Sequence, residues 1–199
     1  MKSTTRGIEV FWTWFVANAA RVRRSGPGTA DVPAEITAQL HRIAPQLAWE
    51  ITPSKVGDWQ LVVSADGNRE LFPLVHAVVA AAPSVPGFRV KAFRQRGSTE
   101  GTIQYRGGKL APSDIRFSAE PRGADAIAVT LFIRGLSDDN DETLSGAAVL
   151  LLDDLLGEYD AITKIAELKR SPLPSDAAGL GLRPFAELRS VVDALGRRR

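Results

Sequence analysis

The stretch Ala126-Ile127-Ala128-Val129-Thr130-Leu131-Phe132-Ile133-Arg134 is the most continuously apolar strand-like segment of the chain. Such a run, rich in β-branched residues and free of proline and glycine, reads as a strand covered on both faces and therefore as the centre of a sheet. Just upstream, TIQYR (102–106), a Gly107-Gly108 turn and DIRFSAE (114–120), with Ile115 and Phe117 on one face, add one or two strands. Nearer the N-terminus, LAWEIT (47–52) turns Leu47, Trp49 and Ile51 inward against Ala48 and Glu50. WQLVVSA (59–65) does the same with Trp59, Leu61 and Val63. Val56-Gly57-Asp58 between them supports a hairpin. Residues 88–93 form a further strand, with Arg89 and Lys91 on its wet face.

Around these strands lie segments of helical period. Ile8, Phe11, Trp12, Phe15, Ala19 and Val22 recur at spacings of three and four, which gives a helix over 8–23 with one apolar stripe; Trp14 points to the opposite side. A short helix follows, with Asp31 as its cap, Pro33 in the first turn, and Ile36, Leu40 and Ile43 inside. Asp66-Gly67-Asn68 ends a strand and caps a helix running through about Ala82, with Leu71, Leu74, Val75, Val78, Val79 and Ala82 on its buried face. After the acidic loop SDDNDE (137–142) comes the longest helix, 143–168, ended by Pro172 and Pro174. A last amphipathic helix, 184–195, carries Phe185, Leu188, Val192 and Leu195. Strands in hairpin-connected groups predict an α+β fold: a mainly antiparallel sheet of about five to six strands, helices packed on one face, and N- and C-terminal helices flanking. A single domain over 1–199 is expected, with a flexible linker at about 24–31 and a flexible tail at about 196–199.

Of the 199 residues 44% are hydrophobic and 24% charged, close to the averages of globular chains, which excludes disordered, collagenous and fibrous classes. The absence of cysteine excludes a disulfide framework, thiolate catalysis, zinc fingers and iron–sulfur clusters. No apolar run reaches the ~18 residues of a membrane-spanning helix. Glu9, Asn18 and Arg21 interrupt the pattern a signal peptide would need, so a cytoplasmic protein without a membrane partner is expected. The 25 basic and 23 acidic residues look balanced, yet residues 137–160 hold eight acids and no base.

Within the long helix, Asp153, Gly157, Asp160 and Lys164 fall on the wet side, whereas Asp154 and Glu158 fall inside the apolar arc one turn apart. A carboxylate in such an arc must find a donor or take up a proton. Two readings follow. In one the pair is a buried structural salt bridge, with Arg94, Arg96 or Arg134 as partner. In the other it is a binding or acid–base site built on Glu158 with Asp154, Tyr159 and His76. Trp59, at a strand start after a tight turn, stands either in the core or in a groove open to a partner. No metal site is expected: two histidines and no cysteine do not make a zinc centre, and SDDNDE lacks the glycine and the glutamate of a calcium loop. No G-x-S-x-G elbow and no phosphate loop is present, so no cofactor is expected. Arg21, Arg23 and Arg24, and Arg197, Arg198 and Arg199, form two basic clusters. Without base-stacking aromatics they read as helix-end and tail charges, and nucleic acid is the least favoured partner.

FWTWF (11–15), VVSADGNRELFPLVHAVVAAAP (62–83) and LLDDLLGEYDAITKI (151–165) together resemble small bacterial proteins of a domain-of-unknown-function type. That resemblance implies no reaction, substrate or cofactor, only a compact bacterial protein in which LGEYD belongs to the family pattern. The functional expectation is a non-enzymatic binding or interaction module with a protein partner, its candidate binding residues being Asp154, Glu158, Tyr159, His76, Arg94 and Trp59. The competing expectation is a small hydrolase or transferase using Glu158 as general acid/base.

Overall fold

The computed structural model describes residues 2–25, 31–53, 57–98 and 100–195. The core of the expected linker, 26–30, and the expected tail at 196–199 with its three arginines lie outside the described residues. The chain divides into two compact units, Met1–Arg94 and Gln95–Arg199.

In the first unit, α1 (Lys2–Ser25) and α2 (Asp31–His41) precede the strands β1 (Ala48–Pro53), β2 (Trp59–Ser64) and β3 (Phe88–Ala92), with α3 (Phe72–Ala80) between β2 and β3. β1 and β2 form an antiparallel hairpin with Trp49 opposite Val63, whereas β2 and β3 run parallel with Leu61 opposite Val90. Parallel neighbours cannot be joined by a tight turn, so the return path is taken by a helix. β2 is the middle strand and buries Leu61, Val62, Val63 and Ser64 in succession, because both of its faces are covered. The predicted stripe of α1 (Ile8, Phe11, Trp12, Phe15, Ala19 and Val22) is buried throughout. Its rings meet edge to face, Phe11 on Trp12 at 4.8 Å and Phe15 on Phe88 of β3 at 5.2 Å. The Trp12 indole N–H donates to the Val78 carbonyl at 2.8 Å, so this buried polar atom is satisfied on α3. Trp14 is half-buried. Arg21 joins α1 to α2 through Glu35, one of its nitrogens donating at 2.8 Å.

The second unit begins with the hairpin β4 (Ile103–Tyr105) and β5 (Gly108–Leu110), closed by Arg106 and Gly107, both left-handed at φ 48° and 85°. It packs on α4 (Asp141–Leu156), where a side chain at Gly146 would run into the Tyr105 ring. Between them come β6 (Ile115–Pro121) and β7 (Ile127–Ile133), and after α4 come α5 (Glu158–Lys164), β8 (Ile165–Pro172), β9 (Arg183–Pro184) and α6 (Leu188–Asp193). The four-stranded sheet has the order β8-β7-β6-β9. β6 is antiparallel to both β7 and β9, while β7 and β8 are parallel with Val129 opposite Leu168. The apolar stretch 126–134 thus supplies an inner strand. Ile115, Phe117, Val129 and Leu131 meet Ala148, Leu151 and Leu155 of α4 and Leu188 of α6 in one core cluster.

The α+β class holds. In place of one mainly antiparallel sheet of five to six strands, the described residues form sheets of three, two and four strands, in which four strand pairs are antiparallel and two are parallel. The helix expected over 143–168 starts two residues earlier and breaks at Gly157, whose φ of 75° and ψ of 151° suit glycine almost alone. Residues 165–168 belong to strand β8, not to helix. Ile162, Ile165 and Leu168 repeat every three residues and so satisfy a helical period, while the backbone donors and acceptors of this segment pair with β7. The final helix is also shorter than expected, because Arg183 and Pro184 form β9 and 185–187 a single 3-10 turn.

One arrangement occurs twice. Each unit has an antiparallel strand pair, a helical connection and a third strand parallel to the second: β1-β2-α3-β3 and β6-β7-α4-α5-β8. The first strand of each ends in proline, Pro53 and Pro121, and the first three elements start about 68 residues apart.

Candidate functional site

A pocket of about 580 Å³ opens in the first unit where β2 ends, lined by Thr37 and His41 of α2, Trp49 of β1, and Asp66 and Asn68 of the turn into α3. Its walls are held in place by hydrogen bonds. The Trp49 indole N–H donates to the Thr37 hydroxyl at 2.9 Å, the Asp66 amide donates to the Ser64 hydroxyl at 2.9 Å, and the Asn68 carboxamide oxygen accepts from the Glu70 amide at 3.0 Å. Arg94 runs behind the turn. It is bonded at 2.5 Å to Glu50 of β1 and at 2.8 Å to Asp66. Burial would lower its pKa, but the hydrogen bonds and charges of these two carboxylates reverse that and raise it above the ordinary guanidinium value. Arg94 is therefore a fixed charge that ties the start of the hairpin to the turn.

Two residues around this network have left-handed backbone without being glycine, Asp66 at φ 50° and Phe93 at φ 64°. Aspartate tolerates that region; for phenylalanine it is strained. The strain is held by packing. The Phe93 amide donates to the Val63 carbonyl at 2.8 Å, and its buried ring lies 4.5 Å from Phe72 and 5.0 Å from the exposed His76. The kink at Phe93 turns the chain away from β3 so that the next residue, Arg94, reaches both acids.

The six residues named from sequence divide evenly between the units. His76, Arg94 and Trp59 are in the first. His76 and Arg94 are joined through Phe93, but Trp59 is at the other end of β2, opposite Phe88, roughly 16 Å of extended strand away. Asp154, Glu158 and Tyr159 are in the second unit, at the junction of α4 and α5. Glu158 is fully buried at 0% exposure, as its place in the arc predicts, whereas Asp154 and Tyr159 are exposed. Arg94 holds Glu50 and Asp66 as above, Arg134 pairs with Asp114 at 3.4 Å, and Arg96 pairs with Asp160 at 2.6 Å and Asp193 at 2.7 Å. Asp160, expected on the wet side, is half-buried and takes Arg96.

The junction itself is a helix terminus with its acceptors filled. The last four carbonyls of a helix lack intrahelical donors. In α4 these are Asp153, Asp154, Leu155 and Leu156, and they accept from the Gly157 amide at 2.7 Å, the Gly97 amide at 2.7 Å, Arg189 Nε at 2.8 Å and Arg96 Nε at 2.9 Å. Positive charge at that end also complements the helix dipole. The Asp193 hydrogen bond, opposed by burial and helped by Asp160, raises the pKa of Arg96. These contacts fix the end of α4 to Arg96, Gly97 and Arg189 within the second unit.

Sequence reasoning did not single out Thr37, His41, Trp49, Asp66 and Asn68 as a group. The one available signal was the Asp66-Gly67-Asn68 turn, which reads as a strand end. Among the described residues no cluster of three histidine or carboxylate side chains is placed to hold a metal, and no helix is long and apolar enough to cross a membrane. No protein family, curated protein or solved structure matches the chain.

Proposed function

We propose that the chain is a non-enzymatic binding module whose ligand sits in the pocket of the first unit. The carrying observation is the convergence of an aromatic wall, Trp49, with His41, Asp66 and Asn68 at the carboxyl end of β2, beside the turn into α3. In sheets with parallel strands, ligands favour this end. Concave sites with a few fixed polar groups on an apolar wall are the usual form of small-molecule sites. Asp66 spends one hydrogen bond on Arg94, and an ionised carboxylate accepts several, so a donor-bearing or cationic group fits opposite it while a flat apolar part lies along Trp49. The backbone strain at Phe93 supports the same reading, since strain concentrates where geometry serves binding. An acid–base role for Glu158 is disfavoured, because it is buried at 0% exposure and a general acid must reach a substrate.

The test is a thermal-shift screen of the full chain against amines, amino acids and nucleobases. Hits are then titrated by NMR on the Trp49 indole N–H. A ligand binding only the native state raises Tm. The reading expects a hit that moves the Trp49 signal and is weakened roughly tenfold by Asp66→Asn, which tolerates the same backbone. Hits that bind Asp66→Asn and His41→Ala as tightly as the parent, or that are turned over, would contradict it.

A further inference from the structure

We infer that the second unit binds the C-terminal segment of a partner polypeptide as an added strand, in a groove separate from the pocket above. The outer edge of β6 is only partly covered. β9 pairs with it at Arg116 and Phe117, Arg183 standing opposite Phe117 and Pro184 opposite Arg116. The chain before β9 then turns off, with the Leu182 amide bonded back to the Ala177 carbonyl at 3.0 Å. Continuity keeps Leu182 beside Ser118, so among the described residues Ala119, Glu120 and Pro121 have no strand on that side. An edge of this kind is a template for main-chain pairing.

A groove of about 560 Å³ runs along the same stretch, between β6 and α6, lined by Ala119, Pro121, Ile127, Val191, Leu195 and Arg183. Register fixes how an occupant would lie. A strand that continues β9 along β6 is antiparallel to β6, so its last residue stands opposite Ala119 and its terminal carboxylate points toward Arg183. Residues opposite one another share a face of the sheet. The last residue, opposite Ala119, and the third from the end, opposite Pro121, therefore enter the apolar groove, and the one between them faces out. The Arg183 guanidinium stands on the groove side, 5.3 Å from the Phe117 ring, and is bonded to Glu187 at 2.9 Å. That surface pair is weak enough for a terminal carboxylate to displace it. Pro121 has no amide to offer, which suits the far end of a short added strand. The occupant is a free C-terminus with apolar residues at the last and third-from-last positions.

The probe is a fluorescein-labelled pentapeptide, Lys-Ser-Val-Thr-Val with a free carboxylate, measured by fluorescence polarisation against the full chain. Binding of the acid with at least roughly tenfold loss for the C-terminal amide and for Arg183→Glu is expected, since the charge-assisted bond is lost in each. Glu187→Gln, which frees Arg183, tightens binding several-fold. Ala124→Trp, at the exposed rim of the β6–β7 turn, weakens it without touching the core. Equal affinity of acid and amide, no response to Glu187→Gln, no binding at millimolar peptide, or capture of decanoate in place of the peptide would each overturn the proposal.

Discussion

The two units share a plan and differ in how they finish it. In the second unit β9 covers part of the outer edge of the first strand, and the turn after the middle strand places glycine, Gly135, at its left-handed position of φ 75°. In the first unit no described strand lies outside β1, and the turn after β2 places Asp66 in left-handed backbone, its carboxylate held by Arg94. The same topology is relaxed in one copy and loaded with side-chain chemistry in the other. Glycine would adopt the Asp66 conformation at lower cost, and the proposed binding role gives the aspartate a use there.

If the units are equivalent in architecture, equivalent core positions should respond alike. Leu61 of β2 and Leu131 of β7 are both 0% exposed, and Leu61→Ala and Leu131→Ala should each lose about 2–5 kcal/mol in guanidinium unfolding. A negligible loss at one position would break the equivalence of the middle strands. The next largest effect separates the copies. Only the second has its helical connection interrupted by a glycine at φ 75° and ψ 151°, and Gly157→Val should destabilise by about 1–3 kcal/mol in the same assay. Arg96→Met removes the donor to Leu156 and the partner of Asp160 and Asp193, which are partly exposed; about 1 kcal/mol is expected, with faster amide exchange in the last turn of α4. The smallest effect belongs to the first unit. The Arg21 hydrogen bond holds the Glu35 carboxyl below its ordinary pKa of 4.5. Protonation therefore favours the unfolded chain, and the contribution is complete above pH 4.5 and lost as pH falls through the lower folded value. Tm measured from pH 6 to 3 should fall slightly less steeply in Glu35→Gln.

Most of the elements were legible because one signal dominated each of them. The α1 stripe, the Asp66-Gly67-Asn68 stop and the apolar run of β7 had no competing period. β8 was hidden because Ile162, Ile165 and Leu168 fit a helix as well as a strand, and because Gly157 reads as one wet residue of a continuous helix. Pairing was less legible still: periodicity names a strand but not its neighbour, so the parallel pairs β2–β3 and β7–β8 follow only once α3, α4 and α5 are seen as crossovers. For the pocket, Arg94 reads from sequence as a partner for the helix acids, while its bonds to Glu50 and Asp66, 44 and 28 residues distant in the chain, leave no mark in the local pattern. Trp49 alternates inward and reads as core, yet it lies where the sheet ends and becomes a wall. Glu158 was rightly placed in the interior. Asp154 was not, because the helix stops two residues beyond it and its side chain leaves at the exposed end.

The repeated plan rests on β8 lying parallel to β7, and a NOESY spectrum of the labelled chain tests this directly. The account predicts long-range amide-to-Hα contacts linking 127–133 with 165–172 in parallel register, Val129 beside Leu168, and extended couplings from Ile165 onward. An unbroken series of sequential amide–amide contacts from 158 to 168, with no contact to β7, would contradict it.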